Sequence, residues 1–219
     1  VYKVTLLDSD GDGKLEPNQH PDNPLDPGPM EQRVLTFIKT YTTAAPDNAP
    51  MGIAHRGEMF ATEDRVFMLS APNIGDIKEY LFSTKTSNVV AHSIANFPLS
   101  VLGYGDRDAT WYAGYEGARR VYSYCPAQQA WKAEFMYPNL AGDHMDGLEV
   151  IVSPTTQVQY VYVSDMTSDY LGQYRRDANG NWVQENLFKY KDPTASSVEG
   201  LGFGALNHFW VASGNSVYE

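Results

Sequence analysis

Apolar and polar positions alternate along this chain in short runs instead of recurring every three or four residues. The runs are rich in β-branched and aromatic residues, and glycine, asparagine, aspartate and proline separate them. Alternation with a period of two indicates half-buried strands, and the separating residues indicate turns. Since no long stretch keeps a helical period, the sequence predicts an all-β protein.

The strand pattern itself repeats. Three long segments begin near residues 51, 99 and 146, and a shorter one begins near residue 199. The equivalent positions Gly52, Ser100, Gly147 and Gly200 lie 48, 47 and 53 residues apart. Each long segment holds four short strands, which is the composition of a β-propeller blade. We therefore predict a β-propeller of about four four-stranded blades, forming a single domain over residues 1–219.

The two ends of the chain complement each other in this pattern. The fourth segment lacks its last strand, whereas the N-terminal runs VYKVTLL and RVLTFIKTY resemble the third and fourth strands of the other segments. Pairing of the N- and C-terminal strands in one blade would close the ring and remove exposed edges. Because four blades is a low number, a larger ring is one alternative, and a β-sandwich with a coincidental repeat is another.

Two segments, DGLEVIVSPTTQVQYVYVSD and EGLGFGALNHFWVASGNSVYE, resemble blades of the propeller superfamily that includes gluconolactonase-like, NHL-type and phytase-like proteins. The repeat pattern that carries this resemblance covers most of the chain. These families share their blades but differ in chemistry, so the resemblance implies the fold and leaves the activity open.

An acidic loop near the N-terminus has the spacing of a calcium site. Calcium takes about six to eight oxygen ligands, and Gly13 stands where such a loop must turn sharply. Loop positions 1, 3, 5, 7, 9 and 12 are occupied by Asp8, Asp10, Asp12, Lys14, Glu16 and Gln19. The sequence therefore predicts bound Ca²⁺, in a loop inserted at about residues 8–30.

This loop resembles those of EF-hands and dockerins, with one departure. Gln19 replaces the bidentate glutamate of an EF-hand, and no flanking helix pair is evident. Asp22 or Asp26 could supply the missing oxygen. We expect a structural role for the metal, because it would order a long loop that has no core of its own. The alternative is a solvated acidic turn.

Two acidic residues stand directly before the repeated glycines of the last two segments. In lactonase-like and phytase-like proteins, acids at such positions ligate a catalytic divalent metal. The resemblance therefore implies a second metal site at Asp146 and Glu199, with Asp143 or His144 as a general acid or base.

The first two segments do not supply further ligands for that second site. Met51 and Leu99 occupy the positions equivalent to the two acids. A complete catalytic metal site is therefore not evident, and the sequence leaves open whether the chain is an enzyme. The alternative is that both acids accept hydrogen bonds from backbone amides.

Aromatic residues are concentrated in the second segment. Trp111, Tyr115 and Tyr122 could stack on sugar rings and are candidate ligand-binding residues. Aromatic residues are also ordinary packing material in strands, which is the alternative explanation.

Charge and composition narrow the choice of partners and location. The formal net charge is -11, which argues against a nucleic-acid partner because phosphates require Lys and Arg. No apolar run reaches the roughly 18 residues of a membrane span. The only cysteine, Cys125, excludes an internal disulfide. We interpret the strand-like start at Val1 as processed or trimmed, and expect a secreted, cell-surface or periplasmic protein.

Two hypotheses about function follow. The first is a calcium-stabilised extracellular recognition module that binds a carbohydrate or protein ligand. The second is a metal-dependent hydrolase of lactonase or phosphoesterase type, acting on a small-molecule substrate at the axial mouth through Asp146 and Glu199.

Overall fold

A computed structural model describes most of the chain. The described residues are 2–7, 32–47, 50–54, 64–70, 75–94, 98–115, 118–138, 145–153, 156–165, 170–189, 200–204, 208–213 and 216–219. Among them, no helix is long and apolar enough to cross a membrane.

The chain divides into two compact units. The first contains Val1–Tyr41 and Gly204–His208, and the second contains Thr42–Phe203 and Phe209–Glu219. Within the first unit, strands β1 (Tyr2–Leu7) and β2 (Gln32–Phe37) form an antiparallel hairpin. Its strands carry exposed apolar side chains, among them Leu35 and Phe37.

The second unit contains four antiparallel sheets, and the fold is a four-bladed β-propeller, as the repeat predicts. In the first three blades, consecutive strands pair in the order in which they occur in the chain. Blade 1 consists of β3 (Pro50–Ala54), β4 (Arg65–Ser70), β5 (Ile77–Leu81) and β6 (Thr86–Ala91). Blade 2 consists of β7 (Val101–Gly105), β8 (Thr110–Tyr115), β9 (Arg120–Cys125) and β10 (Ala130–Met136).

The last two blades follow the same order. Blade 3 consists of β11 (Met145–Val152), β12 (Gln159–Asp165), β13 (Tyr170–Arg176) and β14 (Trp182–Lys189). Blade 4 has three described strands, β15 (Gly200–Phe203), β16 (Phe209–Ser213) and β17 (Ser216–Tyr218).

Ring closure by the N- and C-terminal strands stays a prediction, because the pairings that the structure describes lie within each terminal sheet. β1 pairs with β2, in a register that runs from Tyr2 opposite Phe37 to Leu7 opposite Gln32, while blade 4 consists of β15, β16 and β17. Antiparallel pairing of β1 with β2 is the pairing that the third and fourth strands of a blade make.

Large side chains fill the spaces between blades. Adjacent residues of β8 point to opposite faces of blade 2, as the strand period of two requires. Trp111 packs towards blade 1, with its ring 4.7 Å from that of Phe67. Tyr112 joins a second cluster with Leu148 and Val163 of blade 3. Alternating aromatic residues therefore hold three successive blades together.

Glycine allows the inner strands of neighbouring blades to approach closely. A Cβ atom on Gly52 would lie 2.9 Å from the Ser100 carbonyl oxygen and 3.1 Å from the Leu102 nitrogen. Both are backbone atoms, so they cannot move away by a rotamer change as the end of a flexible side chain could. The repeated glycine of blade 1 is thus required by the packing of β3 against β7.

We expect Gly52→Ala to lower the free energy of unfolding by about 1–3 kcal/mol, because the added methyl group overpacks this contact. Gly202→Ala is the matched control, since a Cβ atom there meets nothing within 4 Å. It should change stability by less than about 0.5 kcal/mol. Urea unfolding of the two variants checks this, and equal effects would contradict the close approach.

Candidate functional site

The four innermost strands, β3, β7, β11 and β15, surround a cavity at the propeller axis. Its volume is about 220 Å³, and its walls come from the beginnings of all four strands. The lining residues are Gly52, Ile53, Ser100, Val101, Leu102, Asp146, Gly147, Leu148, Gly200 and Leu201. The four positions that the sequence repeat makes equivalent therefore all line one cavity.

Asp146 is the one charged side chain among the described residues that line this cavity. It is half-buried at the start of β11. Ser100 contributes a buried hydroxyl that pairs with no other polar group in the described part of the chain. The remaining lining side chains are apolar or glycine, so Asp146 and Ser100 are the polar lining side chains among the described residues.

Several predicted site residues lie outside the described part of the chain. They are Glu199, Asp143 and His144, which the sequence analysis predicts at the axial mouth, and Asp8, Asp10, Asp12, Lys14, Glu16 and Gln19 of the predicted calcium loop. The calcium site and the pairing of Asp146 with Glu199 therefore stay predictions. Within the described residues, no group of three His, Cys, Asp or Glu side chains is placed to hold a metal ion.

Glu149 is a partly buried acid that the sequence reasoning missed. Burial is the largest effect on it and raises the pKa of its carboxyl to about 7. Its two oxygens accept hydrogen bonds from the backbone nitrogens of Phe203, at 3.1 Å, and Val150, at 3.2 Å. Glu149 thus joins the inner strand of blade 3 to that of blade 4. The sequence feature that could have identified Glu149 is its position as the single acid inside the apolar run LEVIV.

The candidate aromatic residues lie within or beside the core. Trp111 and Tyr122 are 1% and 8% exposed, and Tyr115 packs against the same cluster. The Trp111 ring lies 4.6 Å from that of Tyr104 and also lines a cleft between blades 1 and 2. Packing accounts for the burial of these residues, and their predicted contact with a ligand stays a prediction.

Solved structures share this architecture at low sequence identity. A chain in the crystal structure of a nidogen–laminin complex aligns with a TM-score of 0.50 and 11% identity, over 76% of this chain and 57% of that one. These likenesses show the fold alone.

Two further structures align less closely. A protein from Lactobacillus plantarum gives a TM-score of 0.49 at 12% identity, over 84% of this chain and 52% of that one. Virginiamycin B lyase from Staphylococcus aureus gives 0.46 at 12% identity, over 78% and 51%. The chain therefore spans about half the length of these solved chains. No family model matches the chain, and neither does any curated protein.

Proposed function

We propose that this chain is an extracellular recognition module that binds a carbohydrate or protein ligand at its axial mouth. The observation that carries the proposal is the axial cavity, because residues from all four blades line it. A volume of about 220 Å³ suits a single protruding group, such as one side chain or one sugar unit. The rest of the ligand would lie across the face of the propeller.

The chemistry of the wall supports binding. The Asp146 carboxylate can orient a polar group, while Leu148 and Leu201 exclude water from its apolar part. The fold is compatible with a protein ligand, since the solved chain with the same architecture comes from a complex of two proteins.

Asp146→Asn tests the proposed site. The variant keeps the shape of the side chain but removes its charge, so we expect at least a tenfold weaker affinity for any ligand found by glycan-array and protein-array screening. Asp106→Asn is the control, because Asp106 is exposed in the turn after β7, away from the cavity. Surface plasmon resonance compares the variants. Equal affinities for both variants and the unaltered protein would contradict an axial site.

We further propose that calcium bound by Asp8, Asp10 and Asp12 stabilises the fold. A metal that binds only the folded protein adds about 2.7 kcal/mol at a hundredfold excess over its dissociation constant. A chelator should therefore lower the melting temperature, and Asp10→Ala should remove the response. A melting temperature that is unchanged by chelator, together with no calcium in elemental analysis, would refute this proposal.

A further inference from the structure

A second cleft lies at the opposite ends of the same inner strands, between blades 2 and 3. Its volume is about 460 Å³. The turn that joins β7 to β8 contributes Arg107 and Asp108, and blade 3 contributes Gln159, Arg176 and Trp182. These residues are far apart in sequence and are brought together by the packing of the two blades.

One wall of this cleft is an ordered hydrogen-bond network around Asp108. Its Oδ2 atom accepts hydrogen bonds from the Tyr112 hydroxyl, at 2.6 Å, and from Gln159 Nε2, at 2.9 Å. Burial, together with the hydrogen bond to Asp108, raises the pKa of Tyr112. The tyrosine therefore stays a protonated donor, and the carboxylate is held in one position.

The other wall is fixed by a buried carboxylate behind it. Glu134 accepts hydrogen bonds from Trp182 Nε1, at 2.8 Å, and Arg176 Nη2, at 2.7 Å, and a further one from Ser123. Burial alone would raise the pKa of Glu134, but these hydrogen bonds outweigh it and lower the pKa. The Arg176 guanidinium also lies over the Trp182 ring, 4.5 Å from its centre. Both lining side chains are thus positioned in advance.

Hydrogen-bonding capacity is left over at this cleft. Gln159 Oε1 is buried and has no donor among the described residues. Arg107 donates to the Gln157 carbonyl, and no described carboxylate lies within ion-pairing distance of its guanidinium. An unsatisfied buried acceptor costs about 1–3 kcal/mol, so a rotation of the Gln159 side chain that brings this oxygen to a donating group of a ligand would be favoured.

The charges and groups of the lining indicate the class of ligand. The lining holds two guanidinium groups, of Arg107 and Arg176, and two carboxylates, of Asp108 and Asp177, and Arg176 also pairs with the Glu134 carboxylate behind the wall. Such a wall does not select a net anion or cation. It presents planar donors and acceptors side by side, which suits vicinal hydroxyl groups because each hydroxyl both donates and accepts.

We propose that this cleft between blades 2 and 3 binds a neutral saccharide of one or two sugar rings. The volume lies within the usual range of small-molecule sites, roughly 300–1,000 Å³. The proposal rests on the recognition function proposed above. It adds a class of ligand to that function, and a second binding site on another face of the propeller.

Isothermal titration with neutral disaccharides of glucose, galactose, mannose and N-acetylglucosamine tests this proposal, with hexuronate disaccharides as acidic counterparts. At least one neutral disaccharide should bind. Arg107→Gln should weaken that binding at least tenfold, and Val158→Phe, which fills the cleft, should abolish it. Lys85→Gln is the matched control, because it removes an exposed cation from a turn of blade 1 that does not line the cleft. Thermal melts confirm that each variant is folded.

Three results would overturn the cleft proposal. They are no binding of any neutral disaccharide, binding of hexuronates alone, or affinities that neither cleft variant changes. Asp146→Asn separates this proposal from the axial one, since it should leave saccharide binding in the cleft unchanged. If Asp146→Asn alone weakens binding, the recognition module stands and the cleft proposal fails.

Discussion

Replacing Asp47 with alanine is expected to lower the free energy of unfolding by about 3–5 kcal/mol. Asp47 and Lys78 are 2% and 5% exposed, and their Oδ1 and Nζ atoms are 2.6 Å apart. Ser87 donates to the other carboxylate oxygen, also at 2.6 Å. Removal of the carboxylate leaves a buried ammonium without this ion pair, which then no longer offsets the cost of its desolvation.

The control for this prediction is an ion pair in contact with solvent on the same sheet. Arg65 and Glu79 are 2.9 Å apart, with side chains 41% and 24% exposed. Glu79→Ala should cost less than about 1 kcal/mol, because solvent screens such a pair. Urea unfolding measures both variants. If Asp47→Ala and Glu79→Ala lower the free energy of unfolding by similar amounts, the buried ion pair contributes no more to stability than the solvent-exposed one.

Glu149 is expected to make the fold less stable as the pH rises from 5 to 8. Its pKa in the folded chain is about 7, above the ordinary value of 4.5. The folded state therefore holds this proton more tightly than the unfolded state does. The resulting stability is complete below the ordinary pKa and is lost as the pH rises through the folded pKa. The loss between pH 5 and 8 should be about 2–3 kcal/mol.

Glu149→Gln isolates this effect, because glutamine does not titrate and keeps a similar shape. The free energy of unfolding of both proteins should be measured in urea at pH 5 and pH 8. The unaltered protein should lose about 2–3 kcal/mol more than the variant over that interval. Parallel pH dependence of the two proteins would mean that the Glu149 carboxyl is not perturbed in the folded state.

The blades could be predicted from the sequence because each blade is specified by residues that are close together along the chain. Strand alternation and turn residues recur with each blade, and Gly52, Ser100, Gly147 and Gly200 take equivalent places on the axial cavity. Ring closure by the terminal strands stays a prediction, because a strand pattern specifies which face is buried but not which edge is paired.

The interblade cleft was missed for a related reason. Arg107 and Gln159 are 52 residues apart, and only the packing of two blades places them on one wall. Trp111 was singled out as an aromatic residue, but its burial depends on Phe67 of another blade. Contacts between blades are set by shape and volume, which a pattern along a single strand does not contain.

Hydrogen exchange in the presence of bound ligand tests recognition at the axial mouth most directly. A ligand identified by array screening should slow exchange at the beginnings of all four inner strands, around residues 50–54, 98–102, 145–148 and 200–203. Because every blade contributes residues to the cavity, protection from exchange should appear in the four segments together. In Asp146→Asn, this protection should become weaker in all four segments. Protection confined to the outer strands of one blade, with the inner strands unchanged, would contradict the claim.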